Sequence, residues 1–350
     1  MSIQPSRRWL DLVGVELPVI QAPMAGATTP RMVIETSNAG GLGSLPSALY
    51  SEAELRAALD AVRAGTRGPI NVNFFAHTDP ADDPTRQAAW RRRLAPYYVE
   101  AGLDPDMPLP AGGRAPFNAA FCAVVEDYRP EVVSFHFGLP SAVLLDRVKA
   151  TGAKVISSAT TLAEALWLEA HGVDAIIAMG WEAGGHRGNF LSDDMSTQVG
   201  TFALVRAIVE AVSVPVIAAG GIADRPGVEA AFALGADAVQ VGTAYLLTPE
   251  ASVSTVHRQA LVSGEATAVT NLFTGRPARG VVNRFMSEVG PLSDLAPAFP
   301  TAGAAVGPLR KAAEAAGRGD FSPLWAGQAS RLARPMSSAA LTRSLAGLEE

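Results

Sequence analysis

Short runs of apolar residues recur along the chain, each followed by a stretch with helical spacing. A run such as residues 175–179, Ala-Ile-Ile-Ala-Met, is typical of a strand that is buried on both faces, as in a parallel sheet. The predicted strands cover residues 17–21, 41–45, 70–75, 132–138, 154–159, 175–179, 214–221 and 238–243.

Cap and turn residues mark the helices between these runs. Thr29 offers an N-cap and Pro30 occupies the first helical position, so a helix is predicted from there to about residue 38. Further helices are predicted over residues 51–64, 161–171 and 226–234, and one begins near residue 140. This alternation predicts an α/β fold, a (β/α)8 TIM barrel. A doubly wound sheet is also compatible, but eight units without a topological break favour the barrel.

Two segments interrupt or extend this alternation. Residues 77–115 contain a turn cluster, a helical stretch over 85–101 and a Pro/Gly-rich loop, which we interpret as an insertion that follows the third strand and covers one end of the barrel. After residue 247 the chain contains a loop at 275–280 and Ala/Arg-rich helical segments beyond Pro291. We predict a barrel over residues 1–247 and a C-terminal helical extension over 248–350 that packs over its mouth and side.

Composition narrows the class of protein. The chain has 350 residues, of which 48% are hydrophobic and 18% charged, so it can bury a sizeable core. The net charge of −6 argues against a nucleic-acid or anionic-membrane partner. Neither a secretory signal nor a membrane-length apolar segment is present, which predicts a cytoplasmic protein. The single cysteine, Cys122, excludes an internal disulfide and a cysteine metal cluster.

The loop after the sixth predicted strand, residues 180–188, is the strongest candidate for a functional site. It has four glycines in nine residues, together with Glu182, His186 and Arg187. Glycines let a backbone turn sharply and approach a ligand closely, and a histidine has a pKa suited to proton transfer near neutrality. The alternative is a tight turn whose histidine is merely exposed.

Glycine loops also follow the seventh and eighth predicted strands, at residues 219–223 and 240–244. TIM barrels often hold phosphate at this place, where glycine frees backbone N–H groups for an anion and Thr243 could add a hydroxyl. Close packing of helix on strand is the other explanation for these glycines. Because both loops carry glycine, we favour a phosphate site.

A mononucleotide cofactor suits these loops better than a dinucleotide, because no G-x-G-x-x-G follows the first strand. Its ring would lie across the barrel mouth, where the amide of Asn73 suits the edge of a flavin pyrimidine, although a structural asparagine is also compatible. The predicted cofactor-binding residues are Pro23, Met24, Ala25, Asn73, Gly180, Gly184, Gly185, Ala219, Gly220, Gly221, Gln240, Gly242 and Thr243.

Other candidate residues have two interpretations each. His136 ends the fourth strand and would either bind substrate or act as a structural histidine. Glu182 would either orient His186 or satisfy N–H groups of its own turn. The remaining histidines, His77, His171 and His257, are expected on the surface or in packing, and no His/Asp/Glu cluster has the spacing of metal ligands.

Several motifs together resemble the nitronate monooxygenase family, formerly called 2-nitropropane dioxygenase. The resemblance covers essentially the whole chain, and the combination is more specific than any single motif, since individual motifs occur in a wider set of FMN barrels. The motifs lie at residues 21–26, 71–75, 134–138, 182–188, 219–222, 240–243, 274–276 and 324–328.

The resemblance implies a TIM barrel that binds FMN non-covalently, with the phosphate on the loops at residues 220–221 and 242–243 and with His186 as the catalytic residue. It implies oxidation of an alkyl nitronate or nitroalkane by O₂ to a carbonyl compound and nitrite. Toward an anionic nitronate, His186 would be a hydrogen-bonding partner; toward a neutral nitroalkane, it would be the base that removes the α-proton.

Two related enzyme families share much of this motif pattern and give the main alternative. They are the flavin-dependent enoyl-acyl-carrier-protein reductases and the NADH:quinone reductases, both of which use NADH to reduce the flavin. The stretch at residues 134–138 favours the monooxygenases. Some characterised monooxygenases line the pocket with tyrosines and a lysine, whereas residues 261–350 contain no tyrosine and only Lys311. A flavin-free phosphate-binding barrel is a minor alternative. Barrels commonly pair through outer helices, so a homodimer is compatible with the sequence.

Overall fold

The computed structural model describes residues 6–110 and 113–348 of the chain, and eight parallel strands form a barrel within them. Residues 1–5, 111–112 and 349–350, which include the start of the chain and part of the predicted insertion, lie outside the described residues. The strands are β1 Val19–Gln21, β2 Gly43–Pro46, β3 Ile70–Phe75, β4 Val132–His136, β5 Lys154–Ala159, β6 Ala175–Met179, β7 Gly185–His186, β8 Val216–Ala219, β9 Ala238–Val241, β10 Thr267–Thr270 and β11 Ala278–Val281.

The barrel sheet runs in the order β1-β9-β8-β6-β5-β4-β3-β2, and its two outermost strands meet. The N–H of Gln21 donates to the carbonyl of Leu42 at 3.0 Å, and the N–H of Leu42 donates to the carbonyl of Val19 at 2.9 Å. These bonds close the sheet just before β2. The predicted TIM barrel is therefore confirmed, and a doubly wound sheet is excluded, since an open sheet would leave β1 and β2 apart.

Thirteen helices are found in the described part of the chain. They are α1 Arg8–Val13, α2 Pro30–Asn38, α3 Glu52–Gly65, α4 Pro84–Glu100, α5 Ala119–Tyr128, α6 Ala142–Ala150, α7 Leu162–Ala170, α8 Thr201–Ala211, α9 Arg225–Ala233, α10 Thr255–Ser263, α11 Arg284–Val289, α12 Gly303–Ala315 and α13 Ser338–Ala346. Short 3-10 turns lie at Met195–Thr197, Thr243–Leu247 and Ser330–Leu332. No helix in residues 6–110 or 113–348 combines the length and the apolar character that a membrane span requires.

Local sequence explains where several helices begin. The hydroxyl of Thr29 accepts from the N–H of Met32 with Pro30 at the first helical position, as predicted. Ser51 and Glu54 form a capping box at the start of α3. Helix α5 was not predicted, although Asn118 caps it by accepting from two N–H groups. This helix directly follows the irregular insertion. It has no apolar strand immediately before it, so the strand–helix alternation did not predict it.

The predicted loop at residues 275–280 needs a correction, because its second half is part of β11. This strand pairs antiparallel with β10 and with β7, so that Ala278 lies opposite His186 and Arg279 opposite Gly185. Ala278 and His186 lie 92 residues apart in the sequence. Local glycine and proline content therefore gives no sign that they pair. The small sheet attaches the extension to the barrel mouth.

Two apolar layers hold the barrel together. The interior is filled by inward residues such as Ile20, Ile156, Ile177 and Ile217, with the fully buried Trp9 of α1 packed among them. The second layer lies between strands and outer helices and includes Cys122, which is buried, as expected. Burying apolar area on both faces of the strands explains why their sequences are continuous apolar runs.

The insertion and the extension pack on each other. Trp90 and Tyr98 of α4 are almost fully buried, and they donate hydrogen bonds to the carbonyls of Ala302 at 3.3 Å and Ala305 at 2.6 Å. Helix α4 thus lies along α12 of the extension. The boundary at residue 247 stays a prediction, and the apolar layer around the barrel includes extension residues such as Leu261 and Leu341.

Candidate active site at the barrel mouth

A cavity of about 330 Å³ opens among the loops at the carboxyl ends of the barrel strands. This volume is at the lower end of the range for small-molecule sites. Strand register explains why distant residues meet there: Phe75 lies opposite His136, and Ala219 lies opposite both Met179 and Gln240. The predicted site residues that line the cavity are Pro23, Met24, Ala25, Asn73, His136, Gly184, Gly185, His186, Ala219, Gly220, Gly221, Gln240, Gly242 and Thr243.

Gly180 is the predicted site residue that the structure places outside the cavity lining. A Cβ atom at this position would lie 1.9 Å from Oγ1 of Thr201, so only glycine lets α8 approach the end of β6. Its carbonyl accepts a hydrogen bond from Nη1 of Arg187 at 2.7 Å. Gly180 therefore serves packing, which is the alternative that the sequence also allowed for glycines in such loops.

The glycine loops after β8 and β9 present free backbone donors. Gly220 and Gly221 have φ angles of 104° and 74°, in the region that favours glycine. Within the described residues, no acceptor is found for the N–H groups of Gly221, Ile222, Gly242 and Thr243. The hydroxyl of Thr243 accepts from the N–H of Gly327 at 2.9 Å, which leaves its proton free to donate. Such clustered donors suit an oxyanion.

Two side-chain amides that also line the cavity offer acceptors. Nδ2 of Asn73 donates to the Ser134 hydroxyl at 2.9 Å, so its Oδ1 remains for a ligand. Oε1 of Gln240 is buried, and no partner is found for it in the described part of the chain. A buried acceptor without a donor is costly, which indicates that a ligand group satisfies it.

His186 lies on β7 with its ring against the cavity. Its Nε2 forms a hydrogen bond with Oγ1 of Thr274 at 2.9 Å, and no group in residues 6–110 or 113–348 bonds its Nδ1. Burial holds the pKa of His186 well below its ordinary value, and the nearby charge of Arg114 lowers this pKa further. The ring is therefore neutral at neutral pH.

His136 supports this arrangement rather than presenting a free nitrogen. Its Nε2 lies 3.2 Å from the carbonyl oxygen of His186, and its Nδ1 lies 2.7 Å from the Ser158 hydroxyl. A carbonyl only accepts, so Nε2 carries the proton and Ser158 donates to Nδ1. Burial lowers the pKa of His136 to about 3, so the ring stays neutral. Both nitrogens are occupied by protein, which favours the structural interpretation of His136.

Glu182 fits neither of its two predicted roles. Its carboxylate accepts from the N–H of Thr201 at 2.8 Å and from the Thr201 hydroxyl at 2.7 Å, at the first turn of α8. An acid at a helix N-terminus is stabilised by the unpaired N–H groups there. The group that orients the His186 ring is instead Thr274, which belongs to one of the family motifs but carried no predicted role.

Several cavity residues were missed from the sequence. His257 was expected on the surface or in packing, yet it lines the cavity while its Nε2 bonds the carbonyl of Trp325 at 2.9 Å. Arg114 of the insertion and Arg310 of α12 also line it. Neither arginine nor His257 lay within a quoted motif, whereas Trp325, which also lines the cavity, did. The predictions for the other two histidines are confirmed. His77 packs in an aromatic cluster with Phe75, and His171 is exposed and stacks on Trp167.

Comparison with known proteins supports a family assignment. The family model described as nitronate monooxygenase matches residues 6–347. A nitronate monooxygenase from Pseudomonas aeruginosa is 41% identical, and the match covers 97% of each chain. Another from Paraburkholderia phytofirmans is 42% identical over 97% of this chain and 94% of the relative.

Solved structures show the same similarity. A nitroalkane oxidase from Streptomyces ansochromogenes is similar with a TM-score of 0.88 and 38% identity, covering 97% of both chains. FabK from Thermotoga maritima is similar with a TM-score of 0.72 and 28% identity, covering 98% of this chain and 95% of its own. The similarity to the nitroalkane oxidase is therefore the greater of the two, both in geometry and in sequence.

Proposed function

The chain belongs to the nitronate monooxygenase family, and we propose that it oxidises alkyl nitronates with O₂ to a carbonyl compound and nitrite, using FMN bound at the barrel mouth. Membership makes the chain an oxidoreductase of a flavin-dependent family. The substrate, the identity of the flavin and the roles of individual residues are the proposed part. The single observation that carries it is a neutral His186 held over a cavity that also offers a phosphate site.

The residues present fit FMN at both of its ends. The free N–H groups of Gly221, Ile222, Gly242 and Thr243 suit a phosphate. The unpaired Oε1 of Gln240 and Oδ1 of Asn73 suit N–H groups on the ring edge. Met24 and Ala25 offer apolar surface for the ring. When bound, the flavin supplies the redox step, accepting electrons from the substrate and passing them to O₂.

His186 would contact the substrate through Nδ1, and the Thr274 hydroxyl allows either tautomer. When the hydroxyl donates to Nε2, the proton sits on Nδ1 and can donate to an oxygen of an anionic nitronate. When the hydroxyl accepts from Nε2, Nδ1 has a lone pair that can take the α-proton of a neutral nitroalkane. A nitronate has already lost this proton, so its oxidation requires only the hydrogen bond.

Aromatic side chains enclose the reacting region. The ring centroids of Phe299 and Trp325 lie 5.4 Å and 5.6 Å from that of His186, and Phe75 lies at 6.2 Å. Apolar walls exclude water and strengthen the hydrogen bond from His186 to an anion. They also suit a small alkyl substrate rather than a large polar one.

The test is a product assay on the purified flavoprotein under air. With ethyl or propyl nitronate, we expect nitrite and the corresponding aldehyde in equal amounts, together with O₂ consumption, and no requirement for NADH. NADH oxidation without nitrite would assign the chain to the reductase alternative, and a colourless protein would favour the flavin-free barrel. A cytoplasmic location and a homodimer stay predictions from the sequence.

A further inference from the structure

The charged side chains that line the cavity are all positive. Among the described residues that line it there is no Asp, Glu or Lys, and the charged side chains are Arg114 and Arg310. The protein as a whole carries a net charge of −6. A cavity of positive sign in a negative protein is therefore a local feature of the site rather than a consequence of composition.

Arg114 stands close to the reacting region. Its guanidinium carbon lies 5.9 Å from the centroid of the Phe299 ring, and this ring lies 5.4 Å from that of His186. No carboxylate or hydrogen-bonding partner for this guanidinium is found in residues 6–110 and 113–348. Burial, and to a smaller extent the charge of Arg310, lower the pKa of Arg114.

Arg310 is more nearly compensated. Its Nε donates to Oε1 of Glu314 at 2.8 Å, and the same carboxylate oxygen accepts from the Ser322 hydroxyl at 2.7 Å. Another nearby arginine, Arg276, is not among the lining residues and donates to the carbonyl of Asn189. The uncompensated positive charge on the cavity lining is therefore concentrated on Arg114, and Arg310 also lines the cavity.

We propose that Arg114 and Arg310 form a cationic entrance that selects an anionic nitronate over the neutral nitroalkane of the same carbon skeleton. This proposal rests on the proposed function and names the feature that sets its substrate preference. The two molecules differ by one proton and have nearly the same shape, so an apolar pocket cannot separate them well. An unpaired cation can, because only the nitronate gains by approaching it.

Electrostatic attraction of this kind acts mainly on capture of the substrate. It raises the association rate and lowers KM, and it weakens as salt screens the charges. It leaves kcat with saturating nitronate nearly unchanged, because His186 and the aromatic walls remain in place. A KM effect that depends on salt and on substrate charge is therefore the signature that separates an entrance from a merely structural arginine.

The test uses the full-length flavoprotein with propyl nitronate and with 1-nitropropane, from about 20 mM to about 500 mM NaCl. We expect kcat/KM for the nitronate to fall about tenfold in Arg114→Gln at low salt, and less in Arg310→Gln. The value for the nitroalkane should change less than about twofold, and Arg114→Lys should recover most of the loss. Arg206→Gln, at a half-exposed position beside Glu210 on α8, removes the same charge away from the cavity and should have no effect.

Equal losses for the nitronate and the nitroalkane, or a wild-type kcat/KM for the nitronate that does not depend on salt, would overturn the proposal. Binding of nitrate, a planar inert anion, followed through the flavin spectrum, gives a readout without turnover. Weaker nitrate binding in Arg114→Gln supports the entrance even if the wild type proves not to oxidise nitronates, an outcome that would refute the proposed function alone. Unchanged nitrate binding would refute the entrance itself.

Discussion

The two ends of the cavity are built from different parts of the polypeptide. The end that we propose for the phosphate consists of backbone N–H groups in glycine loops that directly follow β8 and β9. The end that we propose for the substrate is built around the His186 side chain, which bonds Thr274 and lies beside the Phe299 ring, so it combines the β6 loop with the extension. On this proposal the barrel provides a fixed frame for the cofactor, and the segments added to it shape the surroundings of His186.

Because of this difference, variants at the two ends should affect two different properties, flavin retention and turnover. Backbone donors hold a ligand whatever the neighbouring side chains are, so changes at the phosphate end should affect flavin retention. We propose that His186, with the Thr274 hydroxyl that bonds it, acts on the reacting molecule, so changes at either residue should affect turnover and leave the flavin bound. Variants at the two ends of the cavity therefore test this separation.

Replacing His186 with asparagine should give the largest loss. The variant should retain flavin and lose up to about 10³-fold in kcat/KM for a nitronate, because removing one preorganised hydrogen-bond donor to an anion costs about 10²- to 10³-fold. The measurement is nitrite release together with the flavin content of the purified protein. His171→Asn, at the exposed histidine stacked on Trp167, is the matched control and should behave as the wild type. Near-normal turnover in His186→Asn would remove this residue from the mechanism.

Replacing Gly221 with aspartate should have the opposite pattern. Two like charges at about 5 Å cost about 3 kcal/mol at an effective dielectric constant near 20, so the flavin should bind roughly a hundredfold more weakly. Flavin content after dialysis measures this. Gly317→Asp introduces the same side chain at a similar φ of 71°, where no atom lies within 4 Å of the added Cβ. If both variants retain flavin equally, the phosphate does not lie on this loop.

Acid should destabilise the substrate end. The unfolded chain takes up a proton at His136 below about pH 6.5, whereas in the folded chain the pKa of this histidine is about 3. Stability is therefore lost as the pH falls, by about 2 kcal/mol between pH 7 and pH 5 from this group alone. Urea unfolding at both pH values checks it. His136→Asn should show a correspondingly smaller loss, and an identical pH dependence in the variant would contradict the assignment.

Replacing Thr274 with valine should have the smallest effect of the four. It removes the partner of Nε2 of His186 while keeping the shape, and we expect about a fivefold loss of kcat with normal flavin content, since one hydrogen bond is worth about 1 kcal/mol. Thr274→Ser keeps the hydroxyl and should recover most of the activity. If serine and valine are equally impaired, the methyl group rather than the hydroxyl holds the ring.

The same division explains what the sequence could predict. Gly220 and Gly242 follow apolar strands, and the carboxyl ends of barrel strands form the binding face, so their place was predictable. Thr274 lies 88 residues from His186, and the position of Arg114 depends on an irregular insertion. Such contacts depend on how the added segments fold back over the barrel, which no local periodicity encodes. Glu182 was misassigned for a related reason, since its partner is the first turn of α8.

We propose that this chain takes electrons from a nitronate, and anaerobic mixing is the most direct test of this proposal. The purified flavoprotein is mixed separately with propyl nitronate and with NADH while the flavin absorbance is followed. We predict loss of the oxidised flavin spectrum with the nitronate and no change with NADH. Rapid bleaching by NADH, with no response to the nitronate, would contradict the account and assign the chain to the reductases.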